Sequence, residues 1–229
     1  MSKDQKYKHL EGMPKLSYSQ ITSWKNPMYK NDYLRGYFMK IPSEGSVFTE
    51  FGSASGTWIE SVGTGCDKCH EPYAHLLSEF DKEVLSSKLD YPETAVYEDY
   101  IVLNIDDEFI IEGYIDRTIY LPNKKVIVED FKTGSIEKKK SEYLSPDYRQ
   151  TRLYAYAKEL EGYEIEDCRV VLLDRKGNGS EKHPMRLTGE IEILPTPYER
   201  KAVEYFLQDV RKTAVEISNT YKQYLKIFK

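Results

Sequence analysis

The chain has few of the features that would place it outside the cell or in a membrane. It holds only 3 cysteines in 229 residues, an odd and low count that argues against a disulfide framework and for a reducing compartment. No run long and apolar enough for a transmembrane helix occurs, and the opening Met1 to Lys8 is polar and charged, unlike a signal peptide. An intracellular, cytoplasmic protein with no membrane partner is therefore expected. A positive net charge is also lacking. The 33 Lys+Arg stand against 38 Asp+Glu, for a net −5, so no global basic footprint marks a passive nucleic-acid coat. That balance leaves room for an enzyme with a local basic groove around an acidic centre. Internal repeats and low-complexity linkers are missing too. One domain is expected over residues 1–229, with a helical N-terminal segment over about 1–90 and a core over about 91–229.

What is present is globular in character, with 40% hydrophobic and 31% charged residues. The 20 tyrosines stand out. They are ordinary core and boundary residues, and they also suit surfaces, DNA-facing ones included, that need apolar area with a polar tip. Cys66, Cys69 and His70 form a CxxCH cluster in a Gly-rich stretch. A structural zinc would need a fourth ligand that spacing does not identify, so free thiols near a loop are the preferred reading over a zinc-stabilised interaction module. Cys168 stands apart, at the start of an expected strand.

Periodicity divides the chain. Residues 17–24 open on serines suited to N-capping and place Ile21 and Trp24 at helical spacing. Tyr29, Tyr33 and Tyr37 recur every four residues, which predicts a second short helix. Residues 48–63 predict a helix with Phe48, Phe51, Ile59 and Val62 available for burial, and 72–88 predict another. The period then changes: 97–104, 109–120 and 125–131 are rich in Ile, Val and Tyr and are separated by turn-like residues, as in an antiparallel meander. Residues 146–161 return to helical spacing, with Leu153, Ala157 and Leu160 on one stripe. Strands are expected at 167–174 and about 185–194, and a long helix over roughly 197–225. The order predicts an α/β (α+β) fold, a central mixed sheet with an antiparallel meander flanked by helices.

The chemistry concentrates on residues 111–135, IEGYIDRTIYLPNKKVIVEDFKTGS. Alternate strand residues share a face, so Asp130 and Lys132 project together with Val128, while Glu129 and Phe131 point the other way. A carboxylate can hold a hard divalent cation, and a neighbouring lysine can orient or deprotonate water and balance charge on a phosphorane. Asp130 and Lys132 end the apolar run Val126-Ile127-Val128, where an unpaired charge is costly. A second carboxylate must come from the partner strand. If the connecting loop centres on Asn123, Asp116 lies opposite Asp130. If Pro122-Asn123 is a two-residue turn, Asp116 opposes Glu129 and the pair fails. The functional reading therefore requires an odd-length loop or a bulge. Gln150 and Tyr154 sit one turn apart on the next helix and share a face.

These residues, in this order, resemble the RecB-like exonuclease branch of the PD-(D/E)XK nuclease superfamily. LSYSQITSW with Pro27, Tyr29 and Tyr33 is similar to that branch's N-terminal segment, Gly113-Tyr-Ile-Asp116-Arg117 to its G-x-[IV]-D-R element, Glu129-Asp130-Phe131-Lys132-Thr133-Gly134 to its [DE]-x-K-T-G core, and Gln150-Thr-Arg-Leu-Tyr154 to its Q-x-x-x-Y helix. The resemblance implies a restriction-endonuclease-like core and a stand-alone, phage-type DNA nuclease acting in recombination, repair or DNA turnover, with a recombination or replication protein as possible partner. It implies that Asp116, Asp130 and the carbonyl of Phe131 ligate Mg²⁺ or Mn²⁺, that Lys132 acts on the attacking water, and that Gln150 holds the phosphate or the lysine. Glu129 matches a ligand by type, but its strand parity disfavours it. One departure bears on the metal: Gly56 occupies the position of a family histidine ligand, and Glu60, one turn on, is the replacement candidate. A second departure is that the cysteines are too few and wrongly placed for an iron–sulfur cluster. Lys138, Lys139, Lys140, Arg149, Arg152 and Tyr154 are the candidate DNA contacts. The alternative, carried by Gly56, is a catalytically impaired nuclease-fold protein that binds DNA or a protein. Oligomeric state is not readable from the residues.

Overall fold

The computed structural model describes residues 15–41, 45–66, 72–105 and 107–228. In chain order the elements are β1 (Lys15–Leu16), α1 (Tyr18–Lys25), α2 (Lys30–Tyr33) continuing as a π turn (Leu34–Phe38), α3 (Val47–Thr64), α4 (Glu79–Lys88), β2 (Ala95–Ile105), β3 (Phe109–Leu121), β4 (Lys125–Gly134), α5 (Ile136–Leu144), α6 (Gln150–Leu160), β5 (Glu164–Lys176), β6 (Arg186–Pro195) and α7 (Arg200–Phe228). The strands form the expected mixed sheet, in the order β1-β3-β4-β5-β6 with β2 also paired to β3. Pairs β3–β4 and β5–β6 are antiparallel, and β1–β3 and β4–β5 are parallel. The chain divides into two compact units: Met1–Glu44 with Tyr100–Gly113 and Glu199–Lys229, and Gly45–Asp99 with Tyr114–Tyr198.

In the first unit the serine signal holds. The Ser17 hydroxyl accepts from Gln20 N at 3.2 Å and the Gln20 side chain accepts from Ser17 N at 2.7 Å, a capping box that starts α1 where the sequence placed it. Ile21 and Trp24 are buried as expected. The tyrosine period gives α2, but the helix loosens into the π turn rather than continuing as regular α. Helix α7 buries Val203, Phe206, Val210, Ala214 and Ile217, one stripe at helical spacing.

The second unit is built around β5. Val170, Val171, Leu172 and Leu173 are all buried, a continuous apolar run because both faces of a central strand are covered. Val171 and Leu173 pack with Phe51, Ile59, Val84 and Leu85 from α3 and α4, whereas Val170 and Leu172 pack with Tyr143 and Leu194. Lys158 of α6, 1% exposed, is neutralised by Asp99 at 2.5 Å and reaches the Tyr120 hydroxyl at 3.1 Å.

Several sequence expectations need correction. Phe48 and Leu160 are 44% and 54% exposed rather than buried: each sits near one end of its helix, where the apolar face has run off the core. Residues 72–88 are a short 3₁₀ turn, Ala74–Leu76, followed by α4 instead of one helix, because Ser78 caps α4 with Asp81 in a second capping box. Helix α5 was not anticipated at all. Cys66 is disulfide-bonded, which overturns the free-thiol reading there; Cys69 and His70 lie outside the described residues. No helix among the described residues is long and apolar enough to cross a membrane.

Candidate active site

The hairpin register decides whether Asp116 and Asp130 can meet. Leu121 pairs with Lys125 and Arg117 with Glu129 across a three-residue turn, Pro122–Lys124, and the same register carried one step further sets Asp116 across from Asp130. The turn is odd-length and centred on Asn123, as the functional reading required. Asn123 and Lys124 take φ of 61° and 58°, left-handed backbone that asparagine tolerates better than most residues.

The β4 alternation then sorts the charges. On one face, Lys132 Nζ lies 2.6 Å from Asp130 Oδ2, and the Tyr148 hydroxyl donates to the same oxygen at 2.8 Å. On the other, Glu129 is fully buried between Arg117 and Arg169, one row across three strands; Arg169 Nη2 lies 2.6 Å from its Oε1 and the Arg117 guanidinium holds Oε2. Glu129 is thus the centre of a satisfied ion cluster, away from Asp130 and Lys132.

Asp116 accepts from Phe131 N at 2.6 Å. Burial and then the charge of Asp130 push its carboxyl up to about 8, against the opposing pull of Lys132 and the Phe131 N–H. Burial works to lower the Lys132 ammonium, but Asp130 and Asp116 outweigh it and hold its pKa above the ordinary lysine value. Lys132 is therefore a cation here, suited to donate and to balance charge. Asp130 Oδ1 is buried with no hydrogen-bond partner, a costly state for a carboxylate oxygen unless a cation meets it.

Asp116, Phe131 and Lys132 open on a cavity of about 400 Å³ that Gly56, Glu60 and Glu98 also line. Glu98 escaped sequence reading because it breaks strand alternation: its φ of 48° is left-handed within β2. Desolvation, and then Glu60, raise its carboxyl, and Glu98 in turn helps to raise Asp116. A Cβ added at Gly56 would have nothing within 4 Å, so no packing demand explains the glycine. Among the described residues no three His, Cys, Asp or Glu side chains are gathered tightly enough to hold a metal ion unaided. The donor types nonetheless suit a hard divalent cation: carboxylate oxygens, one of them orphaned, with a backbone carbonyl beside them.

The remaining candidates are placed as follows. Gln150 lies behind the pair, its Oε1 3.4 Å from the Tyr148 hydroxyl and its amide donating to the Tyr154 hydroxyl at 3.2 Å. Tyr154 is buried, and burial with the charge of Asp130 raises its pKa, so its ring faces the protein rather than a DNA strand. Arg152 spends its guanidinium on the carbonyls of Tyr148 at 2.7 Å, Pro146 at 2.9 Å and Pro197 at 3.1 Å, a loop clamp that leaves it poorly placed for phosphate. Lys139 pairs with Glu142 at 2.6 Å, Lys140 pairs with Glu192, and Arg149 lies 3.6 Å from Asp147. Lys138 is exposed. Tyr148, the donor to Asp130, carried no sequence signal, since nothing in its spacing distinguishes it from the other tyrosines.

The family model described as the PD-(D/E)XK nuclease superfamily matches residues 59–224, well over half of the chain, and the mixed sheet with its flanking helices is the restriction-endonuclease-like architecture of that superfamily. No curated protein matches. Among solved structures, one titled "Crystal structure of SSO0001" is similar at a TM-score of 0.37 and 13% identity, over 90% of this chain and 79% of that one, a likeness too slight to inform function.

Proposed function

The chain belongs to the PD-(D/E)XK nuclease superfamily, and on that premise we propose that it is a divalent-metal-dependent DNA nuclease of the RecB-like branch, acting as an exonuclease in recombination, repair or DNA turnover. The observation that carries this reading is Asp130: a fully buried carboxylate with one oxygen held by Lys132 and Tyr148 and the other unpartnered, across the hairpin from Asp116.

Asp116, Asp130 and the Phe131 carbonyl would hold Mg²⁺ or Mn²⁺, with Glu60 and Glu98 facing the same cavity in place of the family's histidine. When bound, such an ion supplies an activated water and neutralises charge developing on the phosphate. The protein's own groups do the rest. The Lys132 ammonium stands where it can orient the attacking water and stabilise the pentavalent phosphorus. Tyr148 fixes the carboxylate of Asp130, and Gln150, itself bonded to Tyr154, meets the Tyr148 hydroxyl from α6. In-line attack would leave a 3′-hydroxyl and a 5′-phosphate.

The test is incubation of the purified protein with linear and circular DNA in Mg²⁺ or Mn²⁺, with chelator as control. Cleavage of linear DNA is expected, and Asp130→Ala or Lys132→Ala should each lower it by at least about 100-fold with the fold intact. Unchanged cleavage in either variant sinks the assignment. The second reading, a non-cleaving DNA-binding or protein-binding member, is favoured by Gly56. It wins if neither metal supports cleavage while the wild-type chain still binds DNA.

A further inference from the structure

The first unit carries a groove that phosphodiester cleavage does not use. Two adjoining cavities, of about 600 and 470 Å³, share Tyr33, Tyr37 and Lys40 as a common wall. Rings run along it: Tyr37 and Tyr33 have centroids 4.6 Å apart, Tyr33 and Phe38 5.8 Å, Phe38 and Tyr221 4.9 Å. Tyr33 and Phe38 are buried, so they hold the ladder rigid. Tyr29, Tyr37 and Tyr221 are exposed at 53%, 40% and 37%, so part of each ring faces solvent, although Tyr221 also stacks on Tyr224 at 6.3 Å.

The groove's lining is mixed in charge but leans positive, with Lys15, Lys40 and Lys222 against Glu108 and Asp32. The chain is net −5, yet Lys15, Lys40 and Lys222 line the larger cavity. Lys15 is paired with Glu112 at 3.1 Å, while Lys40 and Lys222 are exposed and no ion pair engages them among the described residues. Glu108, the carboxylate on that cavity's wall, lies 3.7 Å from Arg211. Two cavities in series suit an extended ligand better than a compact one. Exposed rings interleaved with uncommitted ammonium groups are what a single nucleic-acid strand needs: faces for its bases and cations for its phosphates.

We infer that this groove holds a single-stranded segment of the DNA substrate, with bases stacked on Tyr37 and Tyr221 and phosphates at Lys40 and Lys222. The identity of the polymer rests on the nuclease reading; the site itself does not. Binding of a 5′-labelled oligo(dT) of about 20 nucleotides to the full chain is measured by fluorescence anisotropy in chelator, where no cleavage occurs. Tyr37→Ala and Tyr221→Ala should each weaken binding at least about fivefold, and the corresponding Phe variants should keep it, because the ring and not the hydroxyl stacks. The double variant Lys40→Gln, Lys222→Gln should flatten the dependence of log affinity on log salt by about 1.4.

Unchanged affinity in both alanine variants, with melting temperatures equal to wild type, overturns the inference. So does an equal loss on a blunt duplex of the same length, since paired bases offer no faces to the rings. Failure here leaves the cleavage assignment standing. Absence of metal-dependent cleavage in the wild type removes the latter without altering the chelator measurement.

Discussion

Asp116, a metal ligand in the proposed reaction, is held at the expense of the fold. Its carboxyl has an ordinary value of 3.8 and is pushed up to about 8 by burial and by Asp130. Between those values the unfolded chain has lost the proton and the folded chain keeps it. The folded state then binds more protons, so stability falls as pH rises through this window and the loss is complete above about 8. Asn is isosteric and carries no charge. In metal-free buffer, Asp116→Asn should therefore melt a few degrees above wild type at pH 8, with the difference closing toward pH 4, while cleavage is lost. A melting temperature below wild type at pH 8 would show that Asp116 is not held at an energetic cost. Lys132 has the opposite logic: two carboxylates keep it protonated, so it contributes as a cation and its loss leaves them uncompensated.

At the scale of elements, the β3–β4 hairpin is the device that assembles the site. Its three-residue turn sets the register, and a register shift of one would turn Asp116 toward Glu129 and its arginines. Deleting Asn123 should abolish cleavage even if the hairpin re-forms, which activity and circular dichroism together would reveal; retained activity would mean that register is set elsewhere. Helix α3 makes a different point. Gly56 sits in its middle with open space around the missing Cβ, and a glycine inside a helix costs about 0.5–1 kcal/mol relative to alanine. Gly56→Ala should raise unfolding free energy by about that amount in chemical denaturation. If cleavage drops at the same time, the space is needed by the substrate. Helix α5 escaped the sequence for an element-level reason as well. Ser135, at its N-cap, makes no side-chain capping bond; the cap comes from Asp174 on β5, which accepts from Ile136 N at 2.9 Å. A cap supplied from a distant strand leaves no local signature.

At the scale of the whole molecule, an acidic chain keeps positive charge in places, and three of its 20 tyrosines, Tyr33, Tyr37 and Tyr221, join Phe38 in the first unit's ladder of rings. The sequence by itself determined most of the order of elements, the start of α1 at Ser17, the places of β5 and α7, and the face shared by Asp130 and Lys132. Each of these follows from period, capping or strand parity, which are local and survive without a partner. Tertiary structure decided what depends on contacts across the chain. It chose between the two hairpin registers and brought Tyr148 onto Asp130. It turned Glu98 into the cavity through a left-handed residue in β2, and it spent Arg152 on backbone carbonyls. It also raised Asp116 through burial beside a like charge. A residue's spacing records which face it occupies; which groups it meets there, and how far its proton affinity moves, depend on chain segments that the spacing does not see.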